Sequence, residues 1–392
     1  MIEIKLKRGK EESLLRHHPW VFSGAIASAT GDVQDGDLVE VVSAAGDFLA
    51  RGISSTGSIA VRVLTFERCE IDLAWWRAKI AGALEVRVML GLANSPHTNC
   101  YRLIHGEGDS LPGLVVDIYG STAVVQAHTT GIYLMRHDIA AALKSELHLA
   151  AVYDKSATTL PFQSGIEVHE GYIVGSRVEN EELREDGILL LPAWEGGQKT
   201  GFFVDQRDNR ALLKKYSAGR RVLNTFCYTG GFSMAAIEGG ATMVDSVDSS
   251  AKAIELCGRN IERNFPGNTA HREITGDAID YIRDMGKGAY DLIVLDPPAF
   301  AKHRAAINVG LKAYRRLNAM AIAAAAPRSV IFTFSCSQAI SREQFRMAVF
   351  SAAATARREV RILHFLSQGA DHPVNIYHPE GEYLKGLVLF VE

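Results

Sequence analysis

Arg221-Val-Leu-Asn-Thr-Phe-Cys-Tyr-Thr-Gly-Gly231 decides the fold. A β-branched, apolar run ends in two adjacent glycines, and a helical pattern from Phe232 to Glu238 follows at once. Glycines at such a turn let backbone approach a ligand closely, and the helix beyond offers unpaired N–H groups. The spacing is not G-x-G-x-x-G, and the chain has no Gly-Lys-Ser/Thr phosphate loop.

The same alternation continues downstream. Thr242 to Asp248 reads as a strand, and Ser250 as the N-cap of a helix whose Ile254, Cys257 and Ile261 share one face. His271 to Thr275 is the next strand. Tyr290-Asp-Leu-Ile-Val-Leu-Asp296 is another, stopped by Pro297 and Pro298. A helix over Val309 to Ala326, a strand over Ser329 to Ser335 and a capping box at Ser341-Arg-Glu-Gln344 complete the series. Strands apolar on both faces and alternating with helices predict a parallel, doubly wound α/β sheet.

Upstream the period changes. Asp37 to Val42, Phe48 to Gly52 and Ile59 to Leu64 are short strands close together, which predicts a small antiparallel barrel or sandwich. A helix over Asp72 to Leu92 leads into a polar connector, Ala93 to Asn99. A hairpin around Gly120, a helix over Tyr133 to Leu147 and a strand from Ala151 suggest a small α+β domain. The expected divisions are residues 1–80, 81–185 and 186–392.

Composition excludes several classes. The chain has 392 residues, 47% hydrophobic and 22% charged, enough to bury the cores of two or three domains. Its longest nearly pure apolar stretch, Ala319 to Ala326, is far short of the about 20 residues of a bilayer span. The N-terminus alternates charges and carries no secretory pattern. Five cysteines without a C-x-x-C pair predict reduced thiols in a cytoplasm, without a disulfide framework or metal site. A net charge of −3 does not announce a nucleic-acid partner, so any such claim must rest on local clusters.

Ligands of open α/β sheets lie beyond the carboxyl ends of the strands. There the sequence places Gly230 and Gly231, then Asp248 for a ribose diol, then Asp277 for an adenine amino group. The fourth and fifth ends carry Asp296-Pro-Pro-Ala-Phe300 and Ser335-Cys-Ser337. Each has a plainer reading: a turn, a helix cap, a strand stop, a small buried thiol. In this order they form the layout of a class I S-adenosylmethionine (SAM) methyltransferase, with Asn224, Phe226 and Tyr228 in the cofactor loop.

The chain resembles the bacterial 23S ribosomal RNA large-subunit cytosine-C5 methyltransferase I family over nearly its whole length. The resemblance rests on His18-Pro-Trp-Val-Phe-Ser-Gly24, Arg102-Leu-Ile-His-Gly-Glu-Gly-Asp-Ser-Leu-Pro-Gly113 and Lys199-Thr-Gly-Phe-Phe-Val-Asp-Gln-Arg-Asp208. It also rests on Asn224 to Gly231, Asp296-Pro-Pro298, Thr333 to Ser337, Ala370-Asp-His-Pro-Val374 and Tyr383-Leu-Lys-Gly386. It implies an N-terminal PUA-like barrel, a central α+β domain and a C-terminal Rossmann-like methyltransferase sheet ending in an antiparallel strand. It further implies large-subunit rRNA as substrate, naked or partly assembled, and places Phe203 and Gln206 beside the cofactor. Ala299 stands where members of the family often carry Lys, with Lys302 three residues on.

Cytosine C5 is a poor nucleophile, and a thiolate added at C6 makes it an enamine-like one. Cys336 and Asp296 end strands expected to be neighbours, ~4.8 Å apart, so both can reach one flipped base. Pro297, Pro298, Phe300, Lys302 and Arg304 are the candidate RNA contacts beside them. Lys302, Arg304, Lys312, Arg315, Arg316, Arg328 and Arg342 form a run without a carboxylate, which suits phosphate contacts as well as a solvated helix face.

Two rivals stand: methylation of an amino group (guanine N2 or adenine N6), and a non-catalytic RNA-binding assembly protein. The oligomeric state, monomer or homodimer, is left open.

Overall fold

The computed structural model describes residues 1–161 and 165–392. They form two compact units. The first comprises residues 1–187, 192–204 and 370–381; the second comprises 188–191, 205–369 and 382–392.

The N-terminal unit opens with β1 (Ile2–Leu6), a short helix α1 (Glu12–Leu15), β2 (Trp20–Phe22), β3 (Ile26–Ala29), β4 (Leu38–Val42), β5 (Phe48–Ser54) and β6 (Ile59–Thr65). These make a six-stranded sheet in the order β2-β6-β5-β4-β1-β3. Alternate residues Val39, Val41, Val61 and Val63 fill its core, as period-2 patterning requires. One pairing departs from the antiparallel expectation: β1 runs parallel to β4. Parallel neighbours need a long crossover, and the 31 residues between them, 7–37, supply it.

Helix α2 (Leu73–Met89), capped by the Asp72 side chain, leads to β7 (Cys100–His105), β8 (Leu114–Tyr119), β9 (Thr122–Ala127), β10 (Ala151–Asp154) and β11 (Gly171–Val174). They form a second sheet, ordered β11-β10-β9-β8-β7. The β8–β9 hairpin turns at Gly120, as expected, and the helical segment after it divides into α3 (Thr130–Leu134) and α4 (Arg136–Leu147). Ile53 and Leu64 of the first sheet share a core with Trp76, Ile80, Leu103 and Val116, so residues 1–187 pack as one unit.

Two later segments also belong to this unit. Thr200 bonds Tyr119 and Asp117. Arg87, fully buried, pairs with Asp109 and donates to Asp371 O over 2.8 Å, while the Arg102 N–H donates to Asp371 Oδ2 over 3.0 Å. A division at residue 186 therefore does not separate the units cleanly, because segments 192–204 and 370–381 pack with the residues before it.

After β12 (Leu183–Glu185) and β13 (Ile188–Leu190), the second unit alternates strand and helix: α5 (Arg207–Tyr216), β14 (Arg221–Thr225), α6 (Gly231–Glu238), β15 (Met243–Asp248), α7 (Ala251–Asn264), β16 (His271–Thr275), α8 (Ala278–Asp284), β17 (Leu292–Leu295), α9 (Ile307–Ala324), β18 (Ser329–Ser335), α10 (Arg342–Ala356), β19 (Val360–Leu366) and β20 (Lys385–Val391). The sheet order is β16-β15-β14-β17-β18-β20-β19, with β20 antiparallel to both neighbours. Successive side chains point to opposite faces. Leu223, Ile293, Leu295 and Ile331 meet Tyr314, Leu317 and Phe345 on one side. Val222, Leu292, Val294 and Phe332 meet Leu213, Phe232 and Ala236 on the other. Apolar residues on both faces are what a sheet with helices on both sides requires.

Candidate functional site

Strand order reverses at β14, which has β15 on one side and β17 on the other. The crevice beyond the carboxyl ends of β14 and β17 is where open α/β sheets take ligands. The segment leaving β14 is tightly wound: Phe226, Tyr228 and Gly230 all have positive φ, at 56°, 48° and 84°. Left-handed backbone costs a non-glycine residue about 1 kcal/mol or more, so it must be held from outside. Asp248 does so, its Oδ2 accepting from the Tyr228 N–H over 2.9 Å and its Oδ1 from the Ser250 N–H over 2.9 Å. Gly230 has no substitute: an added Cβ would lie 2.4 Å from Cys257 Sγ. Gly231 begins α6.

Asn224 is buried, 1% exposed, and starts a polar chain beneath the loop. Its Nδ2 donates to Ser233 Oγ over 2.8 Å; Ser233 shares a proton with Ser246, and Ser246 bonds His271 Nε2 over 2.8 Å. Asn224 Oδ1 and Thr229 Oγ1 have no hydrogen-bond partner among the described residues. A glycine cradle and unsatisfied buried oxygens fit a polar ligand such as SAM at the end of β14. Cys227 is buried with its Sγ 3.7 Å from Tyr228 O. Asp277, exposed, caps α8: its Oδ1 accepts from the Ile279 and Asp280 N–H groups over 2.8 and 2.9 Å.

Asp296 follows Leu295, whose neighbours in the sheet are Thr225 of β14 and Thr333 of β18. Gln206, 3% exposed, donates from Nε2 to Asp296 Oδ2 over 2.9 Å, and Asn209 Nδ2 donates to Gln206 Oε1 over 2.6 Å. Cys336, half-buried, leaves β18 with its Sγ 4.0 Å from Pro297 O. Ser337 laces the two loops together, its Oγ accepting from the Ala301 N–H over 3.2 Å and lying 3.0 Å from the Tyr314 hydroxyl. Phe300 packs on Tyr314, ring centroids 4.7 Å apart.

The fold thus brings Asp296, Pro297, Phe300, Cys336 and Gln206 to one edge of the sheet, with Pro298, Lys302 and Arg304 exposed beside them. Lys312, Arg315, Arg316 and Arg328 are exposed as well, whereas Arg342 is committed to Glu382 and to Leu366 O. Phe203 belongs to the N-terminal unit, where the Lys199 ammonium lies 4.2 Å from its ring. Sequence reading gave Ser337 and Asn209 no task, since a buried Ser and Asn at strand and helix ends carry no periodic signal. Nor did it give one to Lys385, a charge opening an otherwise apolar strand. The described residues hold no cluster of metal-ligating side chains, and no described helix is long and apolar enough to cross a membrane.

Residues 4–66 match the PUA-like domain family, and residues 162–379 match the S-adenosylmethionine-dependent methyltransferase family. Proteins named ribosomal RNA large subunit methyltransferase I are similar over essentially the full length. That of Klebsiella pneumoniae is 38% identical over 387 residues, 97% of this chain and 96% of its own. That of Aeromonas hydrophila is 38% identical over 392 residues, 98% of each. The chain belongs to the ribosomal RNA large subunit methyltransferase I family.

A crystal structure of a protein described as a methyltransferase, complexed with SAH, superposes with a TM-score of 0.85 at 24% identity, covering 100% of both chains. That likeness concerns the fold: a PUA-like N-terminal domain and a Rossmann-like methyltransferase sheet. The family is SAM-dependent, and the loop from Asn224 to Gly231 with Asp248 fits its cofactor.

Proposed function

We propose that this chain methylates C5 of a cytosine in large-subunit ribosomal RNA through a covalent bond between Cys336 and C6 of the base. The observation that carries the reading is the convergence of Cys336 Sγ, 4.0 Å from Pro297 O, with the neighbouring Asp296 carboxylate, whose Oδ2 is held by Gln206. The names of the full-length relatives support ribosomal RNA as the substrate.

The chain's own groups divide the work. The Cys336 thiolate adds to C6, and the electron pair displaced from the C5–C6 bond moves toward N3, where protonated Asp296 supplies a proton. Gln206 holds Oδ2 and so fixes the plane of the carboxyl against the base. Bound SAM supplies the methyl group as an electrophilic sulfonium. After transfer a solvent water takes the C5 proton, the C–H electron pair forms the C5–C6 double bond as the Cys336–C6 bond breaks and the thiolate leaves, and N3 returns its proton to Asp296. Addition followed by elimination splits one hard step into two easier ones. Phe300 stands beside Asp296 to stack on the flipped base, and Pro297 and Pro298 hold the turn rigid. We assign the cofactor to Asn224, Phe226, Tyr228, Gly230, Gly231, Asp248 and Asp277, with Gln206 adjoining it.

The deciding experiment is a trap. RNA carrying 5-fluorocytosine cannot lose a proton from C5, so with SAM it should leave a denaturation-resistant protein–RNA band. Cys336→Ala should abolish the band. Absence of a band while ordinary RNA is still methylated would overturn the reading in favour of amino-group methylation, which needs no adduct.

A further inference from the structure

Lys385 opens β20 directly across from Ser335, the last residue of β18, and is 3% exposed. The rest of its strand, Gly386-Leu-Val-Leu-Phe-Val391, is apolar, so the ammonium is the one charge there. Its Nζ donates to Ser337 O over 2.7 Å, on the residue after Cys336. A buried ammonium is costly unless a counter-charge and hydrogen bonds repay it. Three groups act on it: the Cys336 thiolate and Glu382 favour the ammonium, and Arg342 opposes it. Glu382 is already matched by Arg342, whose Nε lies 3.0 Å from its Oε1. From α9, Tyr314 faces the same Cys336–Ser337 segment through Ser337 Oγ. Burial brings Lys385 down to about 8, and a charge on Cys336 is the largest effect in the other direction.

We propose that Lys385 is a positioning residue that holds Cys336 as a thiolate before RNA arrives, its ammonium pinned against the Cys336–Ser337 segment by the bond to Ser337 O. The inference rests on Cys336 being the nucleophile of the proposed reaction. The proton balance is simple. The thiol proton leaves to solvent, Lys385 keeps its own, and the resulting thiolate replaces a neutral thiol beside a cation whose other negative neighbour, Glu382, is already matched by Arg342. A cation at this position lowers a thiol below its ordinary ~8.5 and enriches the attacking species near neutrality. The acid limb of methyl transfer then reports Cys336. The rate does not fall as Lys385 loses its proton above about 8, because the thiolate persists.

The test reads the thiol directly. Alkylation of Cys336 by iodoacetamide, followed on the Cys336 peptide by mass spectrometry across pH, gives the thiolate midpoint without RNA or SAM. The full-length protein should show a midpoint below ~8.5, and Lys385→Met should raise it by at least one unit, slowing alkylation at neutral pH about tenfold. The two curves should converge above pH 9.5, and Lys385→Arg should restore the low midpoint. A wild-type midpoint at or above the ordinary value overturns the proposal, as does a Lys385→Met midpoint equal to wild type. If Lys385→Met does not fold, the wild-type and Lys385→Arg midpoints still decide it. Retained methyl transfer by Cys336→Ala would sink the covalent reading alone, leaving the thiol–ammonium pair to stand or fall on alkylation.

Discussion

Gln206 donates to Asp296 over 2.9 Å while accepting from Asn209 over 2.6 Å, so the orientation of its amide is dictated from both ends. Asn209 is itself anchored to Ser367 O over 3.1 Å. The carboxyl at the end of β17 is therefore aimed by a helix that precedes the sheet. A hydrogen bond to an uncharged acid contributes about 0.5–1.5 kcal/mol, so Gln206→Leu should slow methyl transfer between about twofold and tenfold. Single-turnover rates check this, and Asn209→Leu should show a smaller loss of the same kind.

At Gly230 the expected cost is steric. Gly230→Ala places a methyl group 2.4 Å from Cys257 Sγ on backbone with φ of 84°. SAM affinity measured by calorimetry should fall by at least tenfold, and the melting temperature should drop. Adding Cys257→Gly removes the clash but not the backbone strain, so recovery should be partial.

Asp277 caps α8 and is also assigned to the cofactor, and the two tasks can be separated. Its carboxylate caps α8, worth about 1 kcal/mol, which Asp277→Ala forfeits. Asp277→Ser keeps a capping oxygen on a shorter side chain that no longer reaches outward. The serine variant should melt like the wild type yet bind SAM more weakly. Unchanged affinity would reduce Asp277 to a helix cap.

Lys302, Arg304, Lys312, Arg315 and Arg316 are exposed and form no ion pair with any described residue. Charge reversal at Lys302 and Arg304 together should weaken RNA binding across sequences alike. Log affinity should also fall less steeply with log salt, the slope shrinking by about one for each phosphate that goes unneutralised. Affinity insensitive to salt in the unmodified protein would remove this basis for RNA positioning.

An acid limb of stability is expected from Asp245. Burial opposes its ionisation, but bonds from Arg272, Tyr290 and Tyr281 outweigh burial and hold it below the ordinary carboxylate range. A depressed acid stabilises the fold above its unfolded pKa of ~3.9, and that contribution disappears as pH falls through the lower folded value. Arg272→Met should therefore lower the melting temperature at pH 7 and flatten its fall between pH 4 and pH 2.

Most of the catalytic sheet was legible because its cues are local. Val222 and Leu223, or Ile293 and Val294, announce burial on both faces, and Asp248, Asp296 and Cys336 sit where apolar runs stop. Ser250 and the Ser341–Gln344 box cap helices as expected. Periodicity names a face without naming the distant element that will cover it. Arg102 and Asp371 are 269 residues apart, and nothing at either position reveals their bond. The parallel pairing of β1 with β4 and the partners of Gln206 and Lys385 were hidden for the same reason: each is a relation between segments rather than a property of one.

The excursion of residues 370–381 has a kinetic meaning. Arg87 and Arg102 cannot acquire their Asp371 partner until residue 371 has been synthesised. A vectorial account, with the N-terminal unit folding to completion while later residues are still being made, is thus closed to this protein. The Arg87 guanidinium must wait in a half-finished interior, its Asp109 pair made and its last acceptor missing. Asp371→Ala, which leaves β20 and every catalytic side chain in place, should for that reason lower the melting temperature of the N-terminal unit without touching the site.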